Sequence, residues 1–149
     1  MAQSRATKGI SEVKLGTRVS FHKTVTEADI VLYAGIVGDF HRLHVDAEYA
    51  RQGPYGRRIA HGGLLVGFMS TASALMADTL GDPVDYPKVS YGYDRIRFRR
   101  PVFPGDTVTT VDSVVEKDVE KKQVICEVVC TNQDNEVVAI ATHLMRYLD

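Results

Sequence analysis

The stretch from Gly62 to Leu80, GGLLVGFMSTASALMADTL, constrains the fold more than any other. Wound at about 100° per residue, Leu64, Leu65, Phe68, Met69, Ala72, Leu75, Met76 and Leu80 fall within one broad arc. Gly67, Ser70, Thr71, Ala74 and Asp78 gather on the other side. The pattern predicts a core helix about 27 Å long, with a wide apolar face and a back of small residues. Its Met and Phe side chains read as packing residues.

After Pro87 the chain changes character. Val89 to Phe98, Asp106 to Val115, Gln123 to Thr131 and Val137 to Tyr147 are rich in Val, Ile, Thr and Tyr, and turn residues separate them. Four such strands, read as a meander behind one long helix, predict an α+β domain with an antiparallel sheet wrapped around the helix. A sheet of this size exposes long edges, so pairing with a second subunit is expected. Upstream, Lys14 to Thr24 reads as a strand. Thr26-Glu-Ala-Asp29 is a capping signature for a helix that Gly38-Asp39 ends. Asp46 caps a short helix to Gln52, and Gly53-Pro54-Tyr55-Gly56 breaks it. Residues 1–10 are polar and read as a loose tail, with residues 11–149 as a single domain.

A chain of 149 residues buries roughly two-thirds of its unfolded surface. Its formal net charge of −1 gives no global attraction to nucleic acid or anionic membrane. The N-terminus lacks an apolar signal core, and the longest charge-free apolar run, Gly62 to Ala77, is too short to span a bilayer. Cys126 and Cys130, four apart in a strand, sit about 13 Å from one another, too far for a disulfide. With no histidine close by in sequence, they read as buried thiols of a cytoplasmic protein rather than a zinc site. His22 and His143 read as structural.

Asp39, His41, His44 and Asp46 crowd into eight positions. Asp39 and His44 converge only if Phe40 to Leu43 form a turn. Converged, they suit general acid–base work. The same four residues, with His41-x-x-His44 among them, also resemble a metal ligand set, or simply a polar loop. Some twenty residues later, Ile59-Ala60-His61-Gly62-Gly63 opens the long helix. Free backbone N–H groups and the positive helix end lie there, where an oxyanion is stabilised. Glycine at 62 and 63 lets a carbonyl approach the backbone.

Three stretches in this order resemble the MaoC-like hydratases, the (R)-specific enoyl-CoA hydratases of the hot dog fold. They are Gly38-Asp39-Phe40-x-x-Leu43-His44-Val45-Asp46, Tyr55-Gly56-x-x-Ile59-Ala60-His61-Gly62, and Phe98-Arg99-x-Pro101-Val102-x-x-Gly105-Asp106. The resemblance implies syn hydration of an enoyl thioester, or the reverse dehydration, with no metal or redox cofactor. It places Asp39 and His44 as the catalytic pair and the Gly62 amide as the donor to the thioester carbonyl. Ser70 matches a position with which the family lines its site, and His41, Arg42, His61 and Gly63 of this chain join it as candidate substrate-binding residues. An acyl-CoA substrate and a homodimer or higher homo-oligomer are implied; nucleic acid and membrane are not. A thioesterase on the same fold, or an acyl-CoA binder with altered catalysis, are the alternatives.

This chain has His41 and Arg42 where the family has Asn and Pro. His41 either donates in place of the Asn or points to solvent. Arg42 offers a fork for a second carboxylate on the acyl group or for a CoA phosphate, or stays solvated. Arg57 and Arg58, and Arg95, Arg97 and Arg99 sharing a strand face, suit CoA phosphates or solubility. Tyr91 and Tyr93, expected on the Arg95 face, read as cross-strand packing.

Overall fold

The computed structural model describes residues 5–81 and 86–148. The elements run α1 (Arg5–Glu12), β1 (Arg18–Thr24), α2 (Glu27–Val37), α3 (Arg42–Val45), α4 (Ala47–Gln52), α5 (Gly62–Thr79), β2 (Lys88–Phe98), β3 (Thr107–Asp118), β4 (Gln123–Thr131) and β5 (Val137–Tyr147). The five strands form one antiparallel sheet in the order β1-β3-β4-β5-β2. Only β3, β4 and β5 are a meander. β2 crosses to the far edge and pairs with β5 alone.

The burial pattern of β3, β4 and β5 alternates as a half-buried sheet requires. The buried face lies under α5, whose Leu65, Phe68, Met69, Ala72, Ser73 and Met76 point inward. Gly67, Ser70, Thr71 and Ala74 are exposed, as the helical arc predicts, and so is Leu75.

The core falls into two apolar clusters. One gathers Leu65, Phe68 and Met69 of α5 with Val128, Cys130 and Ala141 of the sheet. The other gathers Met76 with Val114, Val124, Met145 and Tyr147, and it includes Ala6 and Ile10 of α1. Residues 5–10 are thus no loose tail: they belong to a helix whose i, i+4 pair, Ala6 and Ile10, is fully buried. Residues 1–4 lie outside the described residues.

α2 begins with the expected capping box: the Thr26 side chain accepts from Asp29 N–H, and Asp29 accepts from Thr26 N–H at 2.7 Å. Gly38 ends it in the left-handed region (φ 78°), its N–H bonded to the Ala34 carbonyl at 2.9 Å. Asp46 caps α4 by accepting from Tyr49 N–H.

β2 departs from regular alternation twice, between Ser90 and Gly92 and between Asp94 and Arg97. The first irregularity separates the two tyrosines expected on one face. Tyr91 is exposed beneath Arg146, while Tyr93 packs against the core. At the second, Arg95 takes φ 54°, so no unbroken row joins Arg95 to Arg97 and Arg99. Both cysteines are buried free thiols. His143, distant from them in sequence, stands opposite Cys126 in the β4–β5 register. No helix among the described residues is long and apolar enough to cross a membrane.

Candidate active site

Backbone geometry brings the two distant motifs together. Gly38 turns the chain out of α2, and the Asp39 carboxylate accepts from His41 N–H at 3.1 Å. His41 caps α3, its Nδ1 accepting from Leu43 N–H at 3.2 Å. The segment before α5 is then pinned from both sides: Ile59 N–H donates to the Leu43 carbonyl at 3.3 Å and Ala60 N–H to the Val102 carbonyl at 2.7 Å. This sets the His44 and His61 rings in a stack, with centroids 3.8 Å apart.

Asp39, His44 and His61 each place one donor atom within 4.8 Å of the others. The expected convergence of Asp39 and His44 therefore occurs, with His61 as a third member. His44 Nδ1 lies 2.8 Å from the Ile59 carbonyl. A carbonyl only accepts, so Nδ1 carries the proton and Nε2 keeps its lone pair. Burial pulls the His44 pKa below its ordinary value; the Ile59 carbonyl opposes this and His61 reinforces it. His61 is 2% exposed, and its Nε2 donates to the Asp39 carbonyl at 3.0 Å. One nitrogen of each ring is thus committed to a backbone carbonyl. The remaining nitrogens with the Asp39 carboxylate could hold a cation, or serve as an acid–base set around a water.

A cleft of about 200 Å³ opens beside this group, lined by His44, Tyr55, Gly62, Phe98, Arg99 and Arg100 among others. Gly62 stands at the first position of α5, where an amide has no intrahelical partner, and the His61 cap makes no side-chain hydrogen bond; Leu64 N–H reaches the His61 carbonyl. A Cβ on Gly62 would lie 2.5 Å from the Phe98 ring, and one on Gly63 would collide with the Tyr33 hydroxyl. The Phe98 ring and the Tyr33 hydroxyl thus occupy the space that a side chain at either glycine would take.

Three other expected residues, His41, Arg42 and Ser70, are not gathered at this cleft, and Asp46 serves as the expected cap. His41 borders a neighbouring cavity of about 320 Å³ with Tyr49, Gln52 and Tyr55. Arg42 folds back onto the Asp46 carboxylate at 2.9 Å and lies over the Tyr49 ring at 4.3 Å. Ser70 is exposed on the small-residue back of α5. The Ile59 carbonyl, the His61 stack and Tyr33 escaped the reading of the sequence. Ile59 and His61 lie inside a quoted motif, but nothing around Tyr33 signals its place.

A MaoC-like domain model matches residues 11–137. An (R)-specific enoyl-CoA hydratase of Rhodospirillum rubrum is 37% identical over 120 residues, 80% of this chain and 78% of that protein. A 3-hydroxybutyryl-CoA dehydratase of Methylorubrum extorquens is 28% identical over 127 residues, 85% of this chain and 76% of that one. The solved (R)-hydratase of A. caviae superposes with a TM-score of 0.78, covering 91% of this chain and 97% of its own, at 23% identity. At that identity the likeness is one of fold, and the fold is the hot dog. With the family model spanning most of the chain, this protein belongs to the MaoC-like domain family.

Proposed function

We propose that this chain is an (R)-specific enoyl-CoA hydratase, equally a 3-hydroxyacyl-CoA dehydratase. The observation that carries the reading is the Asp39–His44–His61 group set at a cleft beside the unpartnered Gly62 amide. Arrangements of this kind suit addition of water to a double bond conjugated with a thioester. His44 Nε2 takes a proton from water, Asp39 holds that water, and the oxygen attacks Cβ. Charge developing on the thioester oxygen meets the Gly62 N–H at the positive end of α5. The proton is delivered to Cα on the same face, which makes the addition syn. Every atom of the water ends in the product and no electrons are transferred, so no redox cofactor is needed; His44, Asp39 and the Gly62 amide supply the proton transfer and the oxyanion contact in place of a metal.

Arg99 and Arg100 line the cleft and suit the phosphates of CoA. His41 Nδ1 accepts from Leu43 N–H and caps α3, and the convergence of Asp39 and His44 without the family's Asn supports a retained acid–base pair. Arg42 is engaged with Asp46 and Tyr49, which favours a surface role over recognition of a second carboxylate.

A homodimer fits the free edge of β2, where Val89, Tyr91 and Phe98 are exposed, and the exposed back of α5. A second copy seated there would cover Ser70. Sedimentation equilibrium tests the dimer, and a monomer at micromolar concentration counts against it. Two buried thiols suit a cytoplasmic setting.

The activity test is loss of enoyl-thioester absorbance on a panel of enoyl-CoAs, with free thiol monitored in parallel. Hydration consumes the double bond and leaves the thioester intact. Thiol release with the double bond retained would instead identify a thioesterase.

A further inference from the structure

Between the two apolar clusters lies a polar layer that the acid–base site does not use. Asp112 of β3, Cys126 of β4 and His143 of β5 meet on the inner face of the sheet, all 0% exposed. A carboxylate oxygen, the thiol sulfur and a ring nitrogen lie within 4.8 Å of one another. His143 Nδ1 is 3.4 Å from Asp112 Oδ2 but out of line for a hydrogen bond, and the Asp112 carboxylate otherwise meets the Cys126 thiol, a weak donor. Polar atoms sealed from water are almost always paired, since an unpaired one forfeits its hydration without return. Here three of them face one another.

We propose that Asp112, Cys126 and His143 form a buried site for a divalent transition cation of the zinc class. One carboxylate, one thiolate and one neutral imidazole carry a combined charge of −2, which a divalent cation neutralises inside the core. The thiol proton leaves to solvent as the cation binds. Mixed oxygen, sulfur and nitrogen donors suit zinc or cobalt, not the oxygen-seeking magnesium or calcium.

The surroundings match what such a site needs beyond its ligands. His143 Nε2 is held by the Ser73 and Ser90 hydroxyls, each at 3.1 Å, which fixes the ring with Nδ1 toward Asp112. Tyr93 stacks on that ring with centroids 4.7 Å apart. Its hydroxyl is buried on the side of the Ser73 and Ser90 hydroxyls, which leaves the fourth position of a tetrahedral site to a water or hydroxide that enters with the cation. Ser73 belongs to α5, so a bound cation would tie the long helix to the three central strands. This site is separate from the His44 cleft and does not rest on the hydratase reading.

The full chain is unfolded and refolded with zinc(II) or cobalt(II), because a sealed site loads as the fold closes, and then dialysed exhaustively. The expected result is one zinc per chain by elemental mass spectrometry, a higher Tm than for protein refolded with chelator, and a thiolate-to-cobalt charge-transfer band. Cys126→Ser removes that band while Cys130→Ser keeps it, each variant being checked by far-ultraviolet circular dichroism. Refolded wild-type protein that retains no zinc and shows no cobalt band overturns the proposal and leaves Asp112 and His143 as a buried ion pair. A band that Cys126→Ser retains in a folded protein also overturns it.

Discussion

Replacing Gly62 by Ala tests the reading of the α5 N-terminus at a single methyl group. The added Cβ would lie 2.5, 2.7 and 2.8 Å from three carbons of the Phe98 ring. Ordinary carbon contacts begin near ~3.5 Å, so the ring must retreat by about 1 Å. Phe98 is 52% exposed, so it has room to swing, and the stability cost falls at the low end of the roughly 1–3 kcal/mol of an overpacked core. The catalytic cost is larger. In the proposed site the methyl adds bulk beside the N–H that is to meet the thioester oxygen, and losing one such donor costs about 10²–10³ in kcat. Steady-state hydration of a short enoyl-CoA, with urea denaturation alongside, separates the two effects. Adding Phe98→Ala relieves the clash and should restore packing without restoring the rate. A Gly62→Ala enzyme with wild-type kcat/KM refutes the assignment of this amide. A full recovery of rate in the double variant would instead show that Phe98 displacement was the whole effect.

Four further outcomes follow from the structure. Because burial lowers the His44 pKa, kcat/KM for hydration should hold as pH falls through about 6.5, the ordinary histidine value, and drop only below it. The same shift costs stability in acid: the unfolded chain takes up this proton first, so stability present above about 6.5 is lost as pH falls through the lower folded value, readable as a falling Tm. Thr26→Ala removes the cap of α2 and should cost about 1 kcal/mol in urea denaturation; no change would mean the capping box is idle. Arg42→Ala should leave the rate ratio between a plain enoyl-CoA and one bearing a terminal carboxylate unchanged, since the guanidinium is held by Asp46. A selective loss on the carboxylated substrate would show that it swings into the site.

The parts of the fold legible in the sequence are those written in local periodicity. α5 is betrayed by its arc, and β4 and β5 by β-branched runs between turn residues, to the very residues at which they begin and end. The capping box at Thr26 and the Asp46 cap are equally local. What escaped depends on pairing between distant segments. α1 shows only Ala6 and Ile10 as inward residues, and their burial depends on Met76 and Tyr147, far along the chain. The bulges of β2 answer to the β5 register and separate side chains that simple alternation puts together. Cys126 had no histidine near it in sequence, while the β4–β5 pairing sets His143 beside it. At the site, residue types and spacing named Asp39, His44 and Gly62. The tautomer of His44 depends on the carbonyl of Ile59, which no side-chain pattern announces.

The most direct measurement of the central claim is kcat/KM for enoyl-CoA hydration by Asp39→Asn and His44→Ala beside wild type, with product configuration determined. Removal of a positioned acid–base group should cost about 10²–10⁴-fold in each variant, and the wild-type product should be the (R)-3-hydroxyacyl thioester. Wild-type rates in both folded variants would contradict the account.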